Sequence, residues 1–330
     1  MNGFFSLASA NLLSPPVLFF ALGFLGTLAG SRLALPEQVA KALSIYLMLA
    51  IGFKGGVAVA THGLTAGLVL ALAAGTVLSA AIPMIAFVIL GVVANLPRVD
   101  RAAVAAHYGS ISIVTFVAAS QALTVTGLGF EGYMVAVAAA METPAILVAL
   151  WLARRGSPAP TTGENENRES LMSEVLLNSS VVVLTGAFII GILTGEKGLA
   201  SIAPFIVDPF TGVLCLFLLD MGAVAGRGIR SGWRVLTPGL IGFGLLMPFV
   251  SAAIALPFGL VAGLSPGGLA LLMTLSASAS YIAVPAAMRL ALPEARPSVY
   301  LTLSLGVTFP MNLTIGIPVY SGIAAMVGGS

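Results

Sequence analysis

Ten apolar stretches, each close to the ~20 residues a helix needs to cross a bilayer, follow one another along this chain with only short turns between most of them. They lie near residues 16–30, 39–60, 64–93, 102–123, 133–153, 175–194, 205–225, 236–262, 268–290 and 300–326. The runs are unbroken, whereas a transmembrane β-barrel would alternate apolar and polar residues in segments of ~10. A soluble domain is equally excluded. Only 8% of residues are charged and 58% are hydrophobic, with mean hydropathy +1.08, against roughly 25% charged residues in an ordinary globular domain. The sequence therefore predicts an all-α polytopic membrane protein with ten transmembrane helices.

The one long polar stretch, "RRGSPAPTTGENENRES" from Arg154 to Ser170, falls between the fifth and sixth spans. It predicts two units, residues 1–155 and 171–330, joined by a cytoplasmic linker at 156–170. With both termini outside, twelve of the fourteen Lys and Arg residues collect on the cytoplasmic side, as the positive-inside rule requires. Lys197 is then external, and Lys54 lies inside a span. The start of the chain, "MNGFFSLASANLLSPP", has no basic residue, so no cleaved signal peptide is expected. The expected location is the inner (plasma) membrane. A net charge of +2 says little about partners, and no nucleic-acid partner is expected. Cys215 has no second cysteine to pair with.

The two five-span units resemble each other. "FKGGVAV" at Phe53 matches "LDMGAVA" at Leu219, "GSISIVTFVAA" at Gly109 matches "ASASYIAVPAA" at Ala277, and "METPA" at Met141 matches "VTFPM" at Val307. The offsets are 166, 168 and 166 residues. Units with an odd number of spans must sit with opposite topology, so the expected architecture is a 5+5 inverted repeat, common among secondary transporters.

Inside the second copy, Ser276, Ser278 and Ser280 alternate and are followed by Tyr281 and Pro285. Alternate residues cannot share one face of a regular helix, so the ninth span is expected to be broken. Its partner, carrying His107, Gly109, Ser110, Ser112 and Thr115, has the same texture. Lipid cannot satisfy the backbone groups that such breaks expose. Two inverted, crossing, discontinuous helices would meet near the midplane. There, half-helix N-termini favour an anion, and freed carbonyls and hydroxyls suit sodium. Small polar residues also serve as plain helix-packing contacts, and that alternative stays open.

Lys54 and Asp220 occupy matching repeat positions with opposite charge and are expected to form an intramembrane pair or to lie near the two mouths. Glu142, beside Pro144, is a candidate cation ligand or proton carrier. Asn312 follows one turn beyond Thr308, the repeat counterpart of Glu142. His107 could titrate near neutral pH, although a lone histidine is more often simply hydrogen-bonded, and His62 is expected in an outer loop. Two histidines and one cysteine offer no good catalytic metal cluster. No HExxH or GxxxxGK[ST] appears, so neither a zinc protease nor an ATP-driven pump is supported, and no enzymatic activity is expected.

"FKGGVAVA", "HYGSISIVTFVAAS", "METPAILVALWLARR", "SASASYIAVPAAMR" and "PSVYLTLSLGVTFPMNLTIGIPVY" resemble, in order and in both halves, the sodium-dependent bicarbonate transporter family known from cyanobacteria. The resemblance implies sodium-coupled bicarbonate uptake by alternating access, a core domain and a gate domain, a homo-trimer, and a small cytoplasmic regulatory protein as a possible partner. Gly109, Ser112 and Thr115 match the first crossing segment of that family, Ser278, Ser280 and Pro285 the second, and Glu142 an acidic position of the fifth span. The expected anion site comprises Gly109, Ser110, Ser112, Ser278, Ser280 and Tyr281. The expected sodium site comprises Thr115, Glu142, Ser276 and Asn312. Tyr281 stands where the cyanobacterial pattern has an acidic residue, and Ile113 and Val114 where it has Gly-Ser. These departures keep another small organic anion, with sodium or proton coupling, as an alternative. A passive channel and a serine-based intramembrane hydrolase are the rival classes.

Overall fold

The structure, a computed structural model, describes residues 13–63, 65–155, 179–281 and 283–328. Among these residues the chain is built from helices and turns, with no strand. In order they are α1 (Pro15–Leu28), α2 (Glu37–His62), α3 (Ala66–Val93), α4 (Arg98–Gly109), α5 (Ile113–Val125), α6 (Met134–Ala140), α7 (Glu142–Arg154), α8 (Ser179–Ile206), α9 (Phe210–Gly232), α10 (Pro238–Val261), α11 (Pro266–Ala277), α12 (Ala283–Ala291) and a final helical run, α13 (Pro297–Val327). Among the described residues eight helical segments, counting α4 with α5 and α6 with α7, are long and apolar enough to cross a membrane, and α1 and α11 are shorter apolar helices. Each of the ten apolar stretches in the sequence overlaps one of these.

Several boundaries differ from expectation. His62 ends α2 rather than lying in a loop. The sixth span does not stop at 194: α8 runs on to Ile206 through a kink at Gly195, whose φ of 58° and ψ of −154° suit glycine alone. Lys197 follows that kink. The expected linker at 156–170 lies outside the described residues.

Helices α3 and α10 are apolar all round, as a membrane span requires. They expose Val88, Val92, Leu246 and Val261 on their outer faces. Residues 102–120 of the α4–α5 run, by contrast, are all buried. Thr65, Thr237 and Ser265 cap α3, α10 and α11 by accepting from backbone amides of the first turn, at 3.3, 3.4 and 3.2 Å, which satisfies donors that helix starts leave unpaired. The final run contains two π-helical turns, at Ser304–Thr308 and Asn312–Gly316. Each precedes or surrounds a proline, Pro310 or Pro318, that cannot donate to the regular ladder.

The tightest packing joins the two halves. On α2, a Cβ at Gly56 would lie 1.9 Å from the Phe188 carbonyl oxygen of α8, and on α8 a Cβ at Gly191 would lie 2.2 Å from the Phe53 oxygen of α2. The same crossing recurs between α1 and α9. A Cβ at Gly222 would meet the Phe20 oxygen at 2.1 Å, and one at Gly23 would meet the Leu219 oxygen at 2.0 Å. The positions correspond at offsets of 166 (Gly56 and Gly222, Phe53 and Leu219) and 168 (Gly23 and Gly191, Phe20 and Phe188). A third correspondence joins Gly75, set against Val137 and Met141, with Gly244, set against Leu303 and Val307. The first two crossings are too close for any side chain and hold backbones in van der Waals contact, the usual basis of helix association in lipid.

Candidate functional site

Two breaks in the backbone define the site. Helix α4 ends at Gly109, where a Cβ would lie 2.1 Å from Pro83 Cγ. Ser110 is extended (φ −87°, ψ 157°), and Ser112 (φ −102°, ψ 109°) caps α5 by accepting from the Thr115 amide at 3.2 Å. Helix α11 ends at Ala277, Ser278 is extended (φ −79°, ψ 161°), and α12 begins at Ala283. Serines favour such interruptions because their hydroxyls offer the backbone alternative partners.

The breaks meet. The Ser112 amide donates to Ser278 Oγ at 2.9 Å, Ser278 Oγ donates in turn to the Leu275 carbonyl at 2.7 Å, and the Ser280 amide donates to the His107 carbonyl at 2.7 Å. Each interruption thus satisfies part of the other's exposed backbone, as burial away from water demands. The alternation of serines acquires a physical meaning: Ser276 closes a helix, while Ser278 and Ser280 lie in an extended strip facing the partner break.

Asn312 belongs to this centre, donating from Nδ2 to the Ala277 carbonyl at 2.8 Å and accepting from the Tyr320 hydroxyl at 3.0 Å. Tyr281 sits edge-on to Phe309, 5.3 Å between centroids. Its phenol approaches Ser112 outside hydrogen-bonding geometry. The His107 ring stacks on Tyr300 at 4.4 Å, and its Nδ1 donates to the Ala103 carbonyl at 2.6 Å, the tautomer following from that carbonyl partner. The buried polar atoms without a hydrogen-bond partner include His107 Nε2, Ser110 Oγ, Ser276 Oγ, the Tyr281 hydroxyl and Glu142 Oε2. Unpaired buried polar atoms are costly, and each asks for an explanation.

Glu142 opens α7 and no hydrogen bond joins it to the two crossing breaks. Its own break is held by a residue the sequence reading missed. Ser79 of α3 donates to the Met141 carbonyl and accepts from the Ala145 amide at 3.2 Å, its hydroxyl inserted where the α6–α7 ladder opens. The available signal was a polar residue in the apolar third span, four residues before Pro83. Thr308, at the position matching Glu142, is fully engaged. It donates to the Gly244 carbonyl at 2.8 Å and shares a hydrogen bond with the Tyr108 hydroxyl.

Lys54 and Asp220 do not form the expected pair. Lys54 Nζ lies 4.2 Å above the centre of the Phe210 ring, and buried Asp220 accepts from the Leu35 amide at 3.1 Å. A match between two sequence positions does not put them in contact, and each residue here finds a partner from a neighbouring element. The ion pair among the described residues joins Asp100 to Arg296, Nη2 to Oδ2 at 2.6 Å. It is reinforced by the Arg296 Nε and backbone amide at 2.7 and 2.8 Å. It ties the start of α4 to the start of α13 and was not anticipated.

The centre is therefore a pair of interrupted helices whose serine-rich breaks hydrogen-bond to each other, with several unused polar atoms beside them. It offers amide and hydroxyl donors to an anion and oxygen acceptors to a small cation. No curated protein matches the chain. A family model described as the Na+-dependent bicarbonate transporter superfamily matches residues 15–325, nearly the whole chain, and with that match the chain belongs to the Na+-dependent bicarbonate transporter superfamily.

Proposed function

We propose that this chain is a secondary active transporter that takes up bicarbonate with sodium by alternating access, on a ten-span 5+5 inverted repeat. The observation that carries the reading is the meeting of the two breaks through Ser112, Ser278, Ser280 and the His107 carbonyl. The starts of α5 and α12 present backbone amides, with the partial positive charge of a helix N-terminus, to one anion. The carbonyl ends of α4 and α11, with the nearby hydroxyls, present oxygen to a cation. Gly109, Ser110, Ser112, Ser278, Ser280 and Tyr281 are assigned to the anion, and Thr115, Ser276, Glu142 and Asn312 to sodium. The matched glycine crossings support the repeat, and the distribution of Lys and Arg supports termini on the outer side of the inner membrane. The protomer is assigned to a homo-trimer in the bilayer.

Uptake of labelled bicarbonate into proteoliposomes, with and without an inward sodium gradient, tests the reading. Sodium-dependent accumulation above the equilibrium level is expected. Uptake that never exceeds equilibrium would identify a passive pathway instead. One observation favours a second reading: Glu142 is buried with an unpartnered Oε2, which suits a carboxyl that carries a proton. Accumulation driven by a proton gradient in sodium-free medium would select that coupling, and competition by formate or acetate would identify an organic anion as the cargo.

A further inference from the structure

Outside the crossing breaks, the polar feature with the least explained chemistry is Lys54. It is a cation within a membrane-spanning helix, and a charge there is costly unless it is partnered. Its close neighbour is the face of Phe210, which supplies an induced attraction but no counter-charge. It lines a cavity of about 260 Å³ between α2 and α5, together with Ser120, Gln121, Thr124, Phe130 and Phe116. A water occupies roughly 30 Å³ of liquid, so the cavity has room for a small hydrated ion. Ser120 is 7% exposed, and its Oγ has no hydrogen-bond partner. No carboxylate lines the cavity.

The cavity also has two neighbours. Phe116 follows Thr115, in the first turn of α5 beyond the first break. On the opposite side, Ala58, Phe130 and Gly132 are shared with a second cavity of about 460 Å³, bounded by Glu131, Tyr133 and Ser265. We propose that the Lys54 cavity is a second anion site, in which the Lys54 ammonium and the Ser120 hydroxyl hold a small oxyanion on its way between the Glu131 cavity and the crossing breaks. The role as a staging site rests on the transport reading above; the binding of an anion does not.

The test uses the full chain in nanodiscs with Cys215→Ala and a reporter, Thr124→Cys, on the cavity wall. Millimolar bicarbonate or nitrate is expected to slow modification of the reporter by an uncharged thiol reagent. Adding Lys54→Gln should weaken that protection about tenfold in anion concentration, the scale of a lost hydrogen bond to a charged group. Lys54→Arg should retain it. Ser120→Ala should weaken it while leaving the melting temperature unchanged, which keeps the proposal testable if Lys54→Gln folds poorly. Protection absent with both anions, or undiminished in both Lys54→Gln and Ser120→Ala, would overturn the site and leave Lys54 as packing on Phe210. In proteoliposomes, Lys54→Gln should raise half-saturating bicarbonate about tenfold. If no variant and no parent protein takes up bicarbonate, the transport reading fails, while the protection assay still decides the anion site.

Discussion

The glycine crossings and the crossing breaks treat the two halves of the chain differently. At the crossings, Gly56 and Gly191 do for α2 and α8 what Gly222 and Gly23 do for α9 and α1, with the same backbone atoms in contact. Around the breaks the halves diverge. Thr308 is fully hydrogen-bonded where Glu142 keeps an unpaired oxygen. Lys54 rests on a ring where Asp220 accepts from a backbone amide. Asn312 supports the Ala277 carbonyl of the second break, whereas the first is backed by Pro83 pressed on Gly109. A scaffold can keep two equivalent interfaces because packing asks the same of both. Under the proposed symport, the site has only one anion and one cation to serve, so matched positions are free to take different chemistry.

The largest effect should come from the symmetric part. Gly56→Leu and Gly222→Leu each force a side chain into a backbone oxygen about 2 Å away. Overpacking typically costs about 1–3 kcal/mol and more where backbone must move, so both variants should yield little folded protein in detergent size-exclusion profiles. Tolerance of one and loss of the other would show that the interfaces are not equivalent. Next comes a contrast within one strip. Ser278→Ala removes a hydroxyl that makes two hydrogen bonds and strands the buried Ser112 amide, a loss of about 1–3 kcal/mol visible as a lower melting temperature. Ser280→Ala should leave melting nearly unchanged but raise the half-saturating substrate or sodium concentration by about ten- to a hundredfold, for a lost bond of ~1.5–3 kcal/mol to a charged group. Equal behaviour in both assays would assign the two serines one role.

Smaller effects sharpen the asymmetry. Glu142→Gln keeps shape and removes a carboxyl whose Oε2 has no partner, so stability should hold while the ion dependence of uptake changes. A fall in melting temperature with unchanged coupling would make Glu142 structural. The smallest effect concerns Lys54→Gln and Asp220→Asn. Because their partners differ, their stability changes should add to within about 0.5 kcal/mol. Recovery in the double variant would restore the pairing that the geometry lacks.

The sequence made the helical class legible because apolar length and sparse charge leave a chain few alternatives. The positions of both breaks were legible as well, through serines that helices tolerate poorly and through Pro285. What escaped was whatever depends on a second element. Ser79 and Met141 lie 62 residues apart, and Asp100 and Arg296 lie 196 apart, so no local pattern joins them. The continuation of α8 through the Gly195 kink was hidden because the polar stretch "TGEKG" reads as the end of a span. Lys54 and Asp220 misled because repeat matching reports equivalence, and equivalence is not contact.

The glycine crossings exchange partners between the halves: α1 seats on α9 and α2 on α8. During synthesis, therefore, the first two helices emerge and wait in the bilayer, the groove of Gly56 for α8, which ends at Ile206, and the groove of Gly23 for α9, which ends at Gly232. The first half cannot finish assembling before most of the second exists. A chaperone or insertase that shelters half-built membrane proteins would find these grooves open until the second half arrives, and fragments divided at the middle would have to be made together to recover the fold.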